Sequence, residues 1–205
     1  MTKRGLLLVI SGPSGSGKGT VVREIMKKDP DFALSISATT RTPREGELHG
    51  VHYYFISREE FKERIAADMM LEHAEYCGNF YGTPKKEVLE NLEAGKNVIL
   101  EIDVQGGLQI KQKFPEVLLL MVVTPDFATL EKRLRGRGDQ VEEQVLKDRL
   151  AMARKELAHL PDYDYVIVNE EGEIEKTADE VIGIVHAEQK KTCRCEDFIR
   201  QFYAE

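Results

Sequence analysis

The stretch GPSGSGKGT, residues 12–20, places four glycines and one lysine in nine positions, between the apolar run LLLVIS and the segment VVREIMKK. It satisfies the spacing G-x-x-x-x-G-K through Gly12, Gly17 and Lys18. Glycine admits positive φ angles and lets backbone N–H groups approach a ligand closely. A helix that begins directly after such a turn adds unpaired N–H groups and a dipole, and both favour an anion. Gly12, Pro13, Ser14, Gly15, Ser16, Gly17, Lys18, Gly19 and Thr20 are therefore expected to cradle a polyphosphate, with Lys18 reaching its outer phosphates. A merely structural glycine turn fits less well, because the strand before and the helix after are the context that phosphate binding requires. The residue after Lys18 is Gly19, where a Ser or Thr usually contacts Mg²⁺. Thr20 is the candidate metal contact in its place; the alternative is an ion held by phosphates and water.

Outward from the loop, strand and helix patterns alternate. LLLVIS (6–11), VILEID (98–103), VLLLMVV (117–123) and DYVIV (164–168) are continuous apolar runs, as buried parallel strands require. Val21, Val22, Ile25 and Met26 recur at helical spacing. Further helices are expected in KKEVLENLEAG (85–95, closed by Gly95), GGLQIKQKF (106–114, stopped by Pro115), FATLEKRLRG (127–136) and Glu142–Leu160, before Pro161. This alternation predicts an α/β, three-layer fold with a mainly parallel central sheet covered on both faces. Residues 37–83 interrupt it. VHYYFI (51–56) and EHAEYCGNFYG (72–82) read as short strands around a helix in SREEFKERI, which opens with a capping box from Ser57 to Glu60. Gly78-Asn79 is the expected hairpin turn. The segment is read as an inserted α+β subdomain. The tail EQKKTCRCEDFIRQFYAE is expected to be helical, with Ile199, Phe202 and Tyr203 on a docking face; self-association through it is left open.

Composition sets limits on partners. The 205 residues suffice for one well-buried core, and 41% hydrophobic with 32% charged residues is a soluble globular balance. A net charge of −7 argues against broad nucleic-acid binding. No apolar run approaches the ~20 residues that span a bilayer. The basic start MTKRG leads directly into a strand and the glycine loop with no cleavage site. Cys77, Cys193 and Cys195 form no disulfide framework and are too few for a zinc site, so free thiols and a cytoplasmic location are expected.

A second cluster lies in the inserted segment. SATTRTPREGELHGVHYYF (37–55) combines hydroxyls and tyrosines with Arg41 and Arg44, whose forked guanidiniums suit phosphate oxygens. EHAEYCGNFYGTP adds Glu72, Tyr81 and Thr83. One carboxylate can accept both the N1–H and the 2-amino group of a purine, and hydroxyls such as Ser37 and Thr83 can serve the rest of its edge. Glu101 and Asp103 end a buried strand, where open α/β sheets place their ligand crevice. Arg133 and Arg137 are four apart on one helical face.

GPSGSGKGT, SATTRTPREGELHGVHYYF, LEHAEYCGNFYGTP, VILEIDVQGG, LEKRLRGRG and DYVIVN occur in this order. Together they resemble the guanylate kinases, nucleoside monophosphate kinases of the P-loop NTPase superfamily, from about residue 4 to residue 188. The blocks TTRTPR and GNFYGTP carry the specificity. The resemblance implies a core of residues 4–36, 84–132 and 151–188, a GMP-binding subdomain of 37–83, a helical lid of 133–150 and a tail of 189–205. It implies transfer of a phosphoryl group from ATP to GMP with Mg²⁺, dGMP being a further acceptor. Ser37, Arg41, Arg44, Tyr53, Glu72, Tyr81, Thr83, Glu101 and Asp103 match GMP-binding positions. Arg133 and Asn169 match positions on the ATP side, together with the loop. Lys18, Arg41, Arg137 and Arg149 match catalytic positions. Two departures are visible: Glu101 stands where some members carry Asp, and Gly19 replaces a small hydroxyl residue. Three other readings remain: an adenylate or uridylate kinase would not need Glu72 or TTRTPR, a phosphopeptide-binding module of this type usually lacks an intact P-loop, and a P-loop GTPase would need switch segments that are not seen.

Overall fold

The computed structural model describes residues 4–76, 78–136, 142–194 and 202. The chain runs through β1 (Leu7–Ser11), α1 (Lys18–Lys28), β2 (Phe32–Leu34), β3 (Ala38–Thr39), β4 (Tyr54–Phe55), α2 (Arg58–Ala66), β5 (Met70–Tyr76), β6 (Asn79–Pro84) and α3 (Lys85–Glu93). It continues through β7 (Asn97–Glu101), α4 (Val104–Lys113), β8 (Leu118–Val123), α5 (Phe127–Arg135), α6 (Glu143–Leu157), β9 (Tyr165–Val168) and α7 (Ile174–Gln189). Single 3-10 turns lie at Leu160–Asp162 and Thr192–Arg194.

Every residue of β1 is buried, and its side chains alternate between two cores. Leu8 and Ile10 pack with Val21, Val22 and Ile25 of α1 and with Ala178, Val181 and Val185 of α7. Leu7 and Val9 pack with Val88 and Leu92 of α3 and Ile110 of α4. A strand covered on both faces has no polar face, which is why the runs of β1, β7 and β8 are continuously apolar. β9, expected to be buried as well, is an edge strand with Val166 and Val168 exposed. The five strands are ordered β2-β7-β1-β8-β9, and every pair is parallel. The α/β expectation, three layers around a parallel sheet, is met. Among the described residues no helix is long and apolar enough to cross a membrane.

A second sheet, β4-β3-β6-β5, is drawn from residues 38–84 and pairs antiparallel except between β3 and β4. Its small core holds Ala38, Phe61 and Met70, and Phe61 stacks on Phe80 at 5.4 Å. Complete burial of Phe61 contributes about 1.5–3 kcal/mol to holding α2 on the sheet.

Several boundaries shift for local reasons. Asp103 accepts the Gly106 N–H at 2.8 Å, so α4 begins at Val104, two residues before the expected start. Tyr76 pairs with Asn79, which places Asn79 in the strand, and Gly78 supplies the positive φ of +72°. The capping box is half present: Ser57 Oγ accepts the Glu60 N–H at 3.0 Å. α6 ends at Leu157, and Pro161 sits in the following 3-10 turn rather than at the helix end. β2, β3 and α7 are not among the elements the sequence patterns predict, and of VHYYFI only Tyr54–Phe55 forms a strand. Of the expected docking face in the tail, Phe202 is exposed, while Ile199 and Tyr203 lie outside the described residues, as do Cys77 and Cys195.

Candidate active site

The glycine loop leaves the C-terminal end of β1 and opens α1. Gly12, Gly15 and Gly17 have φ of +144°, +95° and +92°, and Gly17 is the residue that caps α1. No side chain caps this helix, and its first turn holds no acidic residue. The loop closes on itself through the Ser16 N–H, which donates to the Pro13 carbonyl at 3.0 Å, and Lys18 Nζ, which donates to the Gly12 carbonyl at 2.8 Å.

Two residues from distant segments brace this loop. The Ser16 carbonyl accepts from Asn169 Nδ2 at 2.8 Å and from Arg133 Nη1 at 3.3 Å. Arg133 Nη2 also donates to the Asn169 carbonyl at 2.9 Å, tying α5 to the end of β9. A Cβ on Gly17 would fall inside contact distance of Asn169 Nδ2. Gly17 is thus required twice, for its φ and for the approach of Asn169.

The end of β7 lies beside the loop. A Cβ on Gly19 would sit 3.3 Å from Glu101 Oε1, so the missing side chain leaves room for that carboxylate. Thr20 is exposed, and its Oγ1 accepts from Arg23 at 3.2 Å. Glutamate and threonine oxygens are hard donors of the kind Mg²⁺ takes. Among the described residues, no three His, Cys, Asp or Glu side chains gather as a metal cage.

The second cluster is built on β3, β4, β5 and β6. Arg41 lies with its guanidinium carbon 5.6 Å from the Tyr53 ring centre and 5.8 Å from that of Phe55. The Tyr53 and Tyr81 rings meet edge-on at 6.2 Å. Burial pushes the Tyr53 hydroxyl above its ordinary pKa, and the nearby negative charge of Glu101 adds to the shift. Glu101 thus lies beside Gly19 of the glycine loop and within electrostatic reach of Tyr53. Arg44 and Ser37 enter this cluster through backbone atoms: the Arg44 N–H donates to Glu47, and the Ser37 carbonyl accepts the Tyr54 N–H.

Glu72 is 4% exposed, and its Oε1 accepts from Thr83 Oγ1 at 2.7 Å. Burial raises its carboxyl to about 7, against the Thr83 hydrogen bond, and the charge of Asp103 pushes it further. A Cβ on Gly106 would lie 3.0 Å from Glu72 Oε2, so α4 passes close over this carboxylate. Asp103, expected to touch ligand, spends one oxygen on capping α4.

Arg149 is exposed on α6, and Arg137 lies outside the described residues. Two residues were not found from the sequence. Glu47 grips Arg41. Glu156 of α6 is raised by burial, with the charge of Lys18 acting against the shift and that of Asp103 adding to it. An acidic residue six positions after an arginine, in a segment rich in turn formers, was the available signal for Glu47.

Comparison with known proteins agrees with this geometry. The family model described as guanylate kinase matches residues 4–188. A curated guanylate kinase of Listeria innocua is 49% identical over 196 residues, covering 95% of this chain and 94% of its own. One from Desulfitobacterium hafniense is 48% identical over 190 residues, covering 93% and 94%. The crystal structure of guanylate kinase from Anaplasma phagocytophilum superposes with a TM-score of 0.76 at 38% identity, covering 94% of this chain and 90% of that one. With the glycine loop on the parallel sheet, the arginine–tyrosine cluster and the buried carboxylate on the second sheet, and a family match over residues 4–188, the chain belongs to the guanylate kinase family.

Proposed function

We infer that the protein catalyses ATP + GMP → ADP + GDP. One observation carries this reading: the braced glycine loop has Glu101 beside it, Glu101 acts electrostatically on Tyr53 of the Arg41–Tyr53–Tyr81 cluster, and the sheet of that cluster also carries a buried carboxylate, Glu72. ATP places its phosphates in the loop of residues 12–20, where N–H groups and the α1 dipole meet them. Arg133 and Asn169 keep that loop in shape. GMP places its phosphate against Arg41, Tyr53 and Tyr81, with Arg44 at the rim. Glu72 accepts the guanine N1–H and 2-amino group, and Ser37 and Thr83 serve the remaining edge. dGMP is expected as an alternative acceptor, since nothing obvious is dedicated to a 2′-hydroxyl.

The second pKa of a phosphate monoester is near ~6, so GMP arrives largely as a dianion and needs no general base. One of its oxygens attacks the γ-phosphorus in line; the bond from that phosphorus to the ADP oxygen breaks, and ADP leaves with the electron pair. Lys18 and the loop N–H groups hold charge on the donor side, and Arg41 holds it on the acceptor side. The lid that the resemblance implies over residues 133–150 would bring Arg137 and Arg149 over the transferring group. An arginine in that role is worth roughly 10³–10⁵ in rate. Mg²⁺, when bound, would neutralise charge on the transferring phosphates, and Thr20 and Glu101 are the residues that would hold it. On this reading the core of residues 4–36, 84–132 and 151–188 serves ATP, the subdomain of residues 37–83 serves GMP, the lid of 133–150 serves closure, and the tail of 189–205 takes no assigned task.

The test is ADP formation from ATP and Mg²⁺ with GMP, AMP, UMP and CMP offered in parallel. Turnover with GMP alone is expected. Turnover with AMP or UMP in its place would keep the glycine-loop assignment and overturn the role given to Glu72.

A further inference from the structure

Glu47 follows Arg41 by six residues, in the connection between β3 and β4. Its carboxylate takes the Arg41 fork in bidentate fashion: Nη1 donates to Oε2 at 2.9 Å and Nη2 to Oε1 at 2.8 Å. Oε2 also accepts the backbone N–H of Arg44 at 2.7 Å, and the Glu47 N–H donates to the Arg44 carbonyl at 3.0 Å. The Arg41 and Glu47 side chains are only 14% and 18% exposed, so the pair is largely withdrawn from water. Arg41 Nη1 makes a further bond to the Thr42 carbonyl at 2.8 Å. Three of the five guanidinium N–H groups are thus committed inside the loop, leaving at most two for a ligand. The rings of Tyr53 and Phe55 bear on the guanidinium, which leaves its orientation little freedom.

We propose that Glu47 is a positioning residue for the acceptor phosphate, fixing the remaining N–H edge of Arg41 and the Arg44 backbone in the geometry that receives it, and staying in place when the phosphate binds. This rests on the reading of the Arg41 cluster as the GMP phosphate site. The other role for such a carboxylate is a stand-in anion that the phosphate displaces. The geometry favours positioning. Displacement would have to break two charge-assisted bonds while Thr42 and two rings still hold the guanidinium, and would leave a carboxylate against the Arg44 amide. The bonds from Arg41 and from the Arg44 N–H hold the Glu47 carboxyl at about 2, so it stays charged wherever the protein works and no proton releases it.

The experiment compares binding of GMP and of guanosine, which lacks the phosphate, to wild type, Glu47→Gln and Glu47→Asp by calorimetry, alongside KM values for GMP and ATP. Thermal unfolding checks that each variant is folded, and Glu47→Asp carries the test should Glu47→Gln fail to fold. Glu47→Gln is expected to weaken GMP roughly tenfold, the size of one lost charge-assisted contact. KM for GMP rises with it, guanosine affinity and KM for ATP stay within about twofold, and Glu47→Asp recovers part of the loss. Equal weakening of GMP and guanosine would reduce Glu47 to a structural part of the loop. Unchanged or tighter GMP binding would overturn positioning, the latter in favour of a displaced stand-in. Wild type binding GMP no better than guanosine would instead defeat the phosphate-site reading itself.

Discussion

In the base-reading role proposed for it, Glu72 meets two demands that oppose each other. Reading guanine requires an ionised carboxylate, and burial at 4% exposure resists ionisation, raising its carboxyl to about 7. Below the ordinary value of 4.5 the group is protonated in both folded and unfolded chains and costs nothing. Between 4.5 and 7 the unfolded chain releases the proton and the folded one keeps it, so stability falls as pH rises. Above 7 the full cost is present, roughly 3 kcal/mol for a carboxyl moved this far. Glu72→Gln removes that cost and keeps an oxygen for Thr83. It is expected to melt higher than wild type at pH 8.5, with the gap closing near pH 4. In the same variant GMP turnover should fall by at least 10²-fold while KM for ATP changes little, because a site built on hydrogen bonds discriminates by large factors. A variant no more stable at high pH, or equal losses toward both nucleotides, would remove Glu72 from the base pocket.

Among the elements, the glycine loop is the one held from outside. Asn169 and Arg133 converge on a single carbonyl, that of Ser16. Asn169→Ala leaves that buried acceptor with Arg133 alone, a loss of about 1–2 kcal/mol. KM for ATP should rise roughly 5–30-fold, with GMP binding nearly unchanged. Gly17→Ala adds a left-handed residue, about 1–2 kcal/mol, to the clash with Asn169. It should abolish ATP binding, and Asn169→Ala should relieve only the clash. Titration with a non-hydrolysable ATP analogue measures both; coupling absent between the two substitutions would mean that Asn169 does not shape the loop. The loop itself was legible because glycine spacing and the flanking strand and helix are local. β1, β7 and β8 were legible because burial on both faces writes a continuous apolar run; β9 carries such a run at the sheet edge, where Val166 and Val168 are exposed. β2 has three residues, too few for a pattern, and its place at the edge is set by pairing with β7. α7 carries Ala178, Val181 and Val185 at helical spacing, a signal present but passed over. Asn169 and Asp103 were singled out as ligand contacts. Their hydrogen bonds to Ser16 and Gly106 depend on segments 153 residues away and three residues away, and only the second was within reach of the sequence.

At the scale of the whole molecule, the two sheets are joined covalently at residues 35–37 and where Pro84 leads into α3. α4 spans the junction: Lys113 Nζ donates to the Leu71 carbonyl at 2.7 Å, and Gly106 lies against Glu72. The base of the small sheet is therefore fixed to the core. The Arg41 end is carried on short strands and on the loop that Glu47 closes. Phosphoryl transfer in an open crevice would hand the γ-phosphoryl to water, so the two sites must come together and exclude it before the bond breaks. Arg149 is exposed on α6, so the same movement is expected to carry this helix toward the transferring group. Small-angle scattering should report a radius of gyration near the ~17 Å of a compact chain of this length, falling by on the order of 1 Å with GMP and a non-hydrolysable ATP analogue together. Either nucleotide alone should produce a smaller change, because each site biases only its own half of the closure. ATP hydrolysis without GMP should accordingly be slow. No compaction with both ligands, together with rapid hydrolysis of ATP when GMP is absent, would mean that the crevice works open and that Arg149 takes no part.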